Sequence, residues 1–152
     1  MSGSTIAIEA AVPPSVAFNF VADPRNETKW NPSALRVEQL SDSPVRVGSA
    51  FRVFGKMMGR EVAVEVQVVE LDAPRRTRTS ASSGPMHFDT TYIVEPCPSG
   101  ASVTMSVRVT AQGPLRLIGG LLQAGFTRRT APLAARLKAA IEAFADPGPG
   151  SG

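Results

Sequence analysis

From Leu115 to Ala145 the chain carries its one long run of sustained helical periodicity, and nearly everything before it has the two-residue alternation of strands. Leu115, Ile118, Leu122, Phe126, Leu133, Leu137, Ala140 and Phe144 share one stripe of a helical wheel, the i, i+3, i+4, i+7 spacing of an amphipathic helix. Arg128 and Lys138 fall on the opposite side. At ~1.5 Å per residue such a helix spans roughly 45 Å, enough to cross a small domain. A sheet with one apolar face must bury it, and this helix is the element large enough to do so. Pro132 lies inside the run, where a proline can kink a helix and rotate the face that follows.

The strand segments come in chain order. Thr5–Ala11 alternates Ile6 and Ile8 against Thr5, Ala7 and Glu9 and predicts a first strand, which Pro13 and Pro14 end. Pro14 suits the first turn of a short helix that carries Val16, Phe20 and Val21 inward. Asp23 followed by Pro24 is an N-cap carboxylate with proline at N1, so a second short helix is predicted to run toward Trp30. Six further strands are expected near Leu35–Leu40, Ser49–Lys56, Arg60–Leu71, Thr77–Ser82, Met86–Glu95 and Ala101–Thr110. Gly and Pro turns separate them, and these connections are too short for helical crossovers, so the sheet reads as an antiparallel meander. Val62, Val64, Val66 and Val68 oppose Glu61, Glu65 and Gln67, which leaves one face wet.

A length of 152 residues with 43% hydrophobic content suits one domain, expected over 1–145, with a disordered Pro/Gly tail over 146–152. The lone Cys97 and the lone His87 exclude an intramolecular disulfide and a Cys/His zinc site, so no metal and no cofactor is expected. The N-terminus lacks the basic and apolar regions of a signal peptide, and no apolar run approaches the ~20 residues of a membrane span, which predicts a cytoplasmic location. Although the pI is near 9.6, net charge is only +3, and acidic residues are interleaved with the basic ones through most of the chain. Without a basic stripe interleaved with aromatics, nucleic acid is not an expected partner.

The run Val21-Ala22-Asp23-Pro24-Arg25-Asn26 to Trp30-Asn31-Pro32, the Val47-Gly48-Ser49 turn and the stretch Glu70 to Arg76 occur in an order of strand, two short helices, six strands and one long helix. In this the chain resembles the SRPBCC superfamily, and more narrowly its polyketide cyclase/dehydrase-type branch, related in fold to START lipid-transfer domains and the Bet v 1 allergens. The resemblance implies an α+β helix-grip fold: a curved seven-stranded antiparallel sheet wrapped around a long C-terminal helix, with two short helices after the first strand and a cavity between the layers. Members include carriers, aromatase/cyclases and co-chaperones, so fold alone does not select a function.

Six residues are candidates for the lining of such a cavity. Arg129 sits within the apolar stripe of Leu122, Phe126 and Leu133, where a charge needs a partner. Either it projects into the cavity and anchors a carboxylate, enolate or carbonyl, or it is a snorkelling or paired arginine at the rim. Tyr92 shares a strand face with Phe88, Thr90 and Val94 and carries a hydroxyl inward, toward the cavity or toward a backbone partner. Trp30, Phe88, Met105 and Phe126 complete the expected lining. Gly119, Gly120 and Gly125 either thin the helix beside the cavity or place the start of the regular helix near Leu121. His87 and Asp89 are one pleat apart on the other face of the Tyr92 strand, suited to acid/base work but expected at the surface.

No nucleophile or phosphate-cradle motif is present. The leading expectation is a carrier or sensor, monomer or homodimer, that holds a hydrophobic, lipid- or polyketide-like molecule. The alternative is a polyketide cyclase or dehydratase, which needs a titratable group in the cavity. A third is a co-chaperone-like interaction domain using the outer sheet face, where Phe54 stands on a charged strand.

Overall fold

The computed structural model describes residues 4–41, 44–57, 59–113, 117 and 119–145, with the side chains of Met57, Leu122, Phe126, Arg129, Thr130, Ala131 and Ala145 outside that description. The chain runs β1 (Ser4–Ala10), α1 (Pro14–Val21), a 3-10 helix (Pro24–Lys29), β2 (Ala34–Gln39), β3 (Ala50–Met57), β4 (Arg60–Asp72), β5 (Arg76–Ser83), β6 (Met86–Cys97), β7 (Gly100–Ala111), α2 (Gly119–Thr130) and α3 (Ala134–Ala145). All seven expected strands are present, each end within two residues of its predicted place.

The strands form one antiparallel sheet in the order β1-β7-β6-β5-β4-β3-β2. The first two strands in sequence therefore occupy opposite edges, and a flat sheet would put them about 29 Å apart at ~4.8 Å per strand. Curvature shortens that path, and α1 with the 3-10 helix bridges it: α1 packs on β6, β7 and α3, and the 3-10 helix on β2. Register shifts in β2–β3 between Ala34 and Arg36, and in β4–β5 between Val68 and Glu70, are bulges of the kind that add bend and twist.

The C-terminal helix departs from expectation in two respects. It is two α-helices joined by a 3-10 turn at Ala131–Leu133, because Pro132 lacks the N–H for a regular rung and its ring crowds the preceding turn. The expected start at Leu115 lies outside the described residues, as do Ile118 and the tail 146–152. Leu137 and Ile141 are fully buried, whereas Phe144, expected on the buried stripe, is 41% exposed, in edge contact with Phe20 at 5.3 Å.

Both halves are pinned to the β1 edge. Lys138 Nζ donates to the Glu9 carbonyl and pairs with Glu142, whose Oε2 accepts from Ala11 N. The Gln123 amide accepts from Val109 N at 2.7 Å and donates to Val107 O and Ser4 Oγ, so it supplies ladder rungs to β7 beyond the Ser4–Val107 pair.

The packed core follows from this docking. Ile6, Phe18, Phe20, Val94, Val103, Met105, Val107, Leu137 and Ile141 belong to one cluster between α1, α3 and the β1-β7-β6 half of the sheet. The concave face of β3, β4 and β5 lies outside that cluster.

Candidate functional site

That face lines a cavity of about 220 Å³. Its floor is Val53 and Gly55 of β3, Val62, Val64 and Val66 of β4, Thr79 and Ala81 of β5, and Phe88, Thr90 and Tyr92 of β6. Its roof is the 3-10 helix and the turn after it, with Leu133 contributed from the C-terminal helical segment among the described residues. An engineered cavity of about 150 Å³ holds benzene, so this one is of a size for a molecule of one or two rings.

The local sequence builds the roof. Asp23 caps the 3-10 helix by accepting from Arg25 N at 3.0 Å and pairs with the Arg25 side chain at 2.7 Å. Burial would raise the Asp23 carboxyl, but the Arg25 hydrogen bonds and the Arg25 and Lys29 charges outweigh it and hold the carboxyl below the usual range. Asn26 donates to Phe20 O at 2.9 Å and satisfies one of the carbonyls that the end of α1 leaves open. In a 3-10 helix residues three apart eclipse, so Pro24, Glu27 and Trp30 form one row, and all three line the cavity. Gly55 lets the chain after the roof approach: a Cβ there would lie 2.7 Å from Ser33 O, the carbonyl that accepts from Lys56 N.

Glu27 is the residue that sequence reasoning missed. Its Oε2 accepts from Asn31 Nδ2 at 2.9 Å, and Asn31 is itself held by accepting from Ser33 N. Burial among the valines pushes the Glu27 carboxyl above the ordinary carboxylate range, with the Asn31 bond pulling the other way. Tyr92 faces it from β6, and its phenol is pushed up by burial first and by the Glu27 charge second. The signal for Glu27 was available: it stands three residues before an inward tryptophan in a segment opened by Asp-Pro.

Of the six expected lining residues, Trp30, Phe88 and Tyr92 border the cavity. Met105 is not in the described lining: paired with Tyr92 across β6–β7, it is 4% exposed and packed in the core cluster, on the half of the sheet that α1 and α3 cover. The side chains of Arg129 and Phe126 lie outside the described residues. Leu117 and Leu121 are 90% and 73% exposed, and a Cβ on Gly120 would meet nothing within 4 Å, so that glycine is not accommodating a close neighbour.

His87 and Asp89 are on the outer face, Nε2 to Oδ2 at 3.4 Å, in a partly exposed network with Ser80, Arg78 and Glu70. They do not reach the cavity lining. Phe54 lies under the Arg36 guanidinium, 3.8 Å from ring centre, rather than forming an open apolar patch. No helix among the described residues is long and apolar enough to cross a membrane.

The family model described as polyketide cyclase / dehydrase and lipid transport matches residues 2–142. No curated protein matches the chain significantly. Among solved structures, TTHA0849 from Thermus thermophilus superposes with a TM-score of 0.71 at 16% identity, over 92% of this chain and 97% of that one. The ZhuI aromatase/cyclase from Streptomyces sp. R1128 gives 0.67 at 14% identity, over 93% and 92%. The di-domain ARO/CYC BexL from the BE-7585A biosynthetic pathway gives 0.73 at 21% identity, with 97% of this chain on 48% of that one. At these identities the likeness is one of fold.

Proposed function

We propose, from the premise that the chain belongs to the polyketide cyclase/dehydrase and lipid transport family, that it is a carrier or sensor for a hydrophobic small molecule held between the β3–β5 half of the sheet and the 3-10 helix. The helix-grip scaffold is a hydrophobic-ligand-binding fold, and the observation that carries the reading here is a cavity with Val53, Val62, Val64 and Val66 in its floor and Glu27 and Tyr92 among its polar lining. An apolar pocket with a few convergent polar groups is the usual form of a small-molecule site. Trp30, Phe88 and Tyr92 are the contacts proposed from both sequence and geometry, with Glu27 added by the geometry. No contact is assigned to Arg129. The single free Cys97 accords with work in a reducing cytosol, as monomer or homodimer.

Calorimetry with 2-ethylnaphthalene, an uncharged two-ring probe, tests the reading. Binding to the wild type and its loss in Val64→Trp, a change that fills the cavity from its floor, is the expected result, provided Val64→Trp still unfolds cooperatively. Absence of binding to the wild type overturns it.

Glu27 also favours a second reading, a dehydratase or cyclase acting on a polycarbonyl chain, because it supplies the titratable group that such chemistry needs. In the dehydration, a neutral Glu27 gives its proton to a β-hydroxyl, which leaves as water, and the resulting carboxylate takes the α-proton, restoring the acid as the double bond forms. Mass spectrometry of a β-hydroxyketone incubated with wild type and Glu27→Gln separates the readings: turnover lost in the variant supports the enzyme, and no turnover by either supports the carrier.

A further inference from the structure

Within the carrier reading, on which this rests, the geometry points to a ligand class: the cavity selects neutral hydrogen-bond acceptors, such as ketones, esters or amides, over carboxylates of the same shape, with Glu27 as the donor. Three observations support it. Glu27 lines a cavity that six valines, Phe88 and Trp30 share with neutral polar side chains such as Thr79 and Thr90, so an ionised carboxylate there loses much of the water that stabilises its charge. One of its oxygens is already occupied as an acceptor by Asn31 Nδ2, which fixes the carboxyl plane and leaves Oε1 as the atom to present a proton to a ligand. Burial acts on Glu27 in the same direction, toward the protonated form.

Among the described residues, the other titratable or charged groups on the lining are Asp23, Lys56 and Tyr92. Asp23 is engaged by Arg25 at the N-cap and adds negative charge to the same end. Lys56, on β3, is solvent-exposed. The Tyr92 phenol stays protonated and can donate a second bond to the same acceptor. A ligand carboxylate entering this end must shed its own hydration beside the Asp23 charge, whereas a neutral carbonyl meets the Glu27 and Tyr92 donors without that cost.

Three probes of one shape distinguish the outcomes by calorimetry: 2-acetylnaphthalene, 2-naphthoate and 2-ethylnaphthalene. At neutral pH the ketone is expected to bind at least about tenfold more tightly than the carboxylate. Ketone affinity should fall as pH rises through the raised titration of Glu27, because the donor ionises. Glu27→Gln, which keeps shape and an N–H donor, should retain ketone affinity and lose the pH dependence. Glu27→Leu should cost the ketone about three- to tenfold, the worth of a neutral hydrogen bond, and spare 2-ethylnaphthalene. Equal or tighter binding of naphthoate, with 2-ethylnaphthalene still bound, overturns this assignment and leaves the cavity reading standing. Failure of all three probes overturns both.

Discussion

Glu27 on the 3-10 helix and Tyr92 on β6 enter one cavity from its two layers, where burial first and the Glu27 charge second suppress ionisation of the Tyr92 phenol. Sixty-five positions separate them in the chain, a separation closed by the order of the sheet and the bridge that α1 and the 3-10 helix make across it.

The burial of Glu27 makes stability depend on pH with a definite sign. The folded-state pKa of Glu27 is raised, so its contribution is fully present below the ordinary glutamate pKa and is lost as pH rises through the folded value. Glu27→Gln should therefore raise the urea midpoint above the ordinary glutamate pKa and flatten the decline expected of the wild type as pH rises from there. An unchanged pH profile would show that Glu27 is not buried as described.

Leu137 and Ile141 are both 0% exposed on the face of α3 that meets β1 and α1. Leu137→Ala should destabilise by about 2 to 5 kcal/mol and Ile141→Val by about 0.5 to 1.5 kcal/mol, the ranges for core truncations. Denaturant titration giving under about 1 kcal/mol for Leu137→Ala would mean that α3 does not dock where it is seen.

Replacing Gln123 with leucine removes the acceptor for Val109 N and the donor to Val107 O while keeping bulk. The two β7 backbone groups are then left without those partners, at about 1 to 3 kcal/mol for an unsatisfied buried group. Hydrogen exchange should show Val109 N–H losing protection while the β3–β4 ladder keeps its own.

Gly100 combines φ of 140° with a backbone wall: a Cβ would lie 2.5 Å from Ala10 O and 2.8 Å from both Val12 N and Val12 O. Gly100→Ala should cost about 1 to 3 kcal/mol in backbone strain and a similar amount in displaced backbone. Gly120→Ala, placed in open space within α2, should instead be neutral or stabilising by up to about 1 kcal/mol. Thermal unfolding of the two variants reads the difference directly.

The strands were legible because alternation is local: Val62, Val64 and Val66 must share a face whatever the sheet does next, and the Asp23-Pro24 start of the 3-10 helix is likewise written in adjacent residues. The break at Pro132 was legible as a kink but not as a 3-10 turn, since which rung fails depends on the packing on both sides. Glu27 was legible as sharing a face with Trp30, three residues on, but not as a cavity residue, since whether that face meets packed side chains or a hollow depends on the sheet beneath it. Met105 alternates correctly with its neighbours and still does not border the described cavity, since alternation assigns a face and not a place along it.

By itself the sequence determined seven strands, their antiparallel sense, the side of each that turns inward and the helix that covers them, because these depend on periodicities and turns within a few residues. The tertiary structure alone decided which half of the apolar face is packed and which is hollow. Contacts more than a hundred positions apart make that decision: Lys138 to Glu9 and Glu142 to Ala11 draw α3 to the β1 edge, and the β3–β5 face, with no helix among the described residues docked in the same way, becomes the cavity in which Glu27 meets Tyr92.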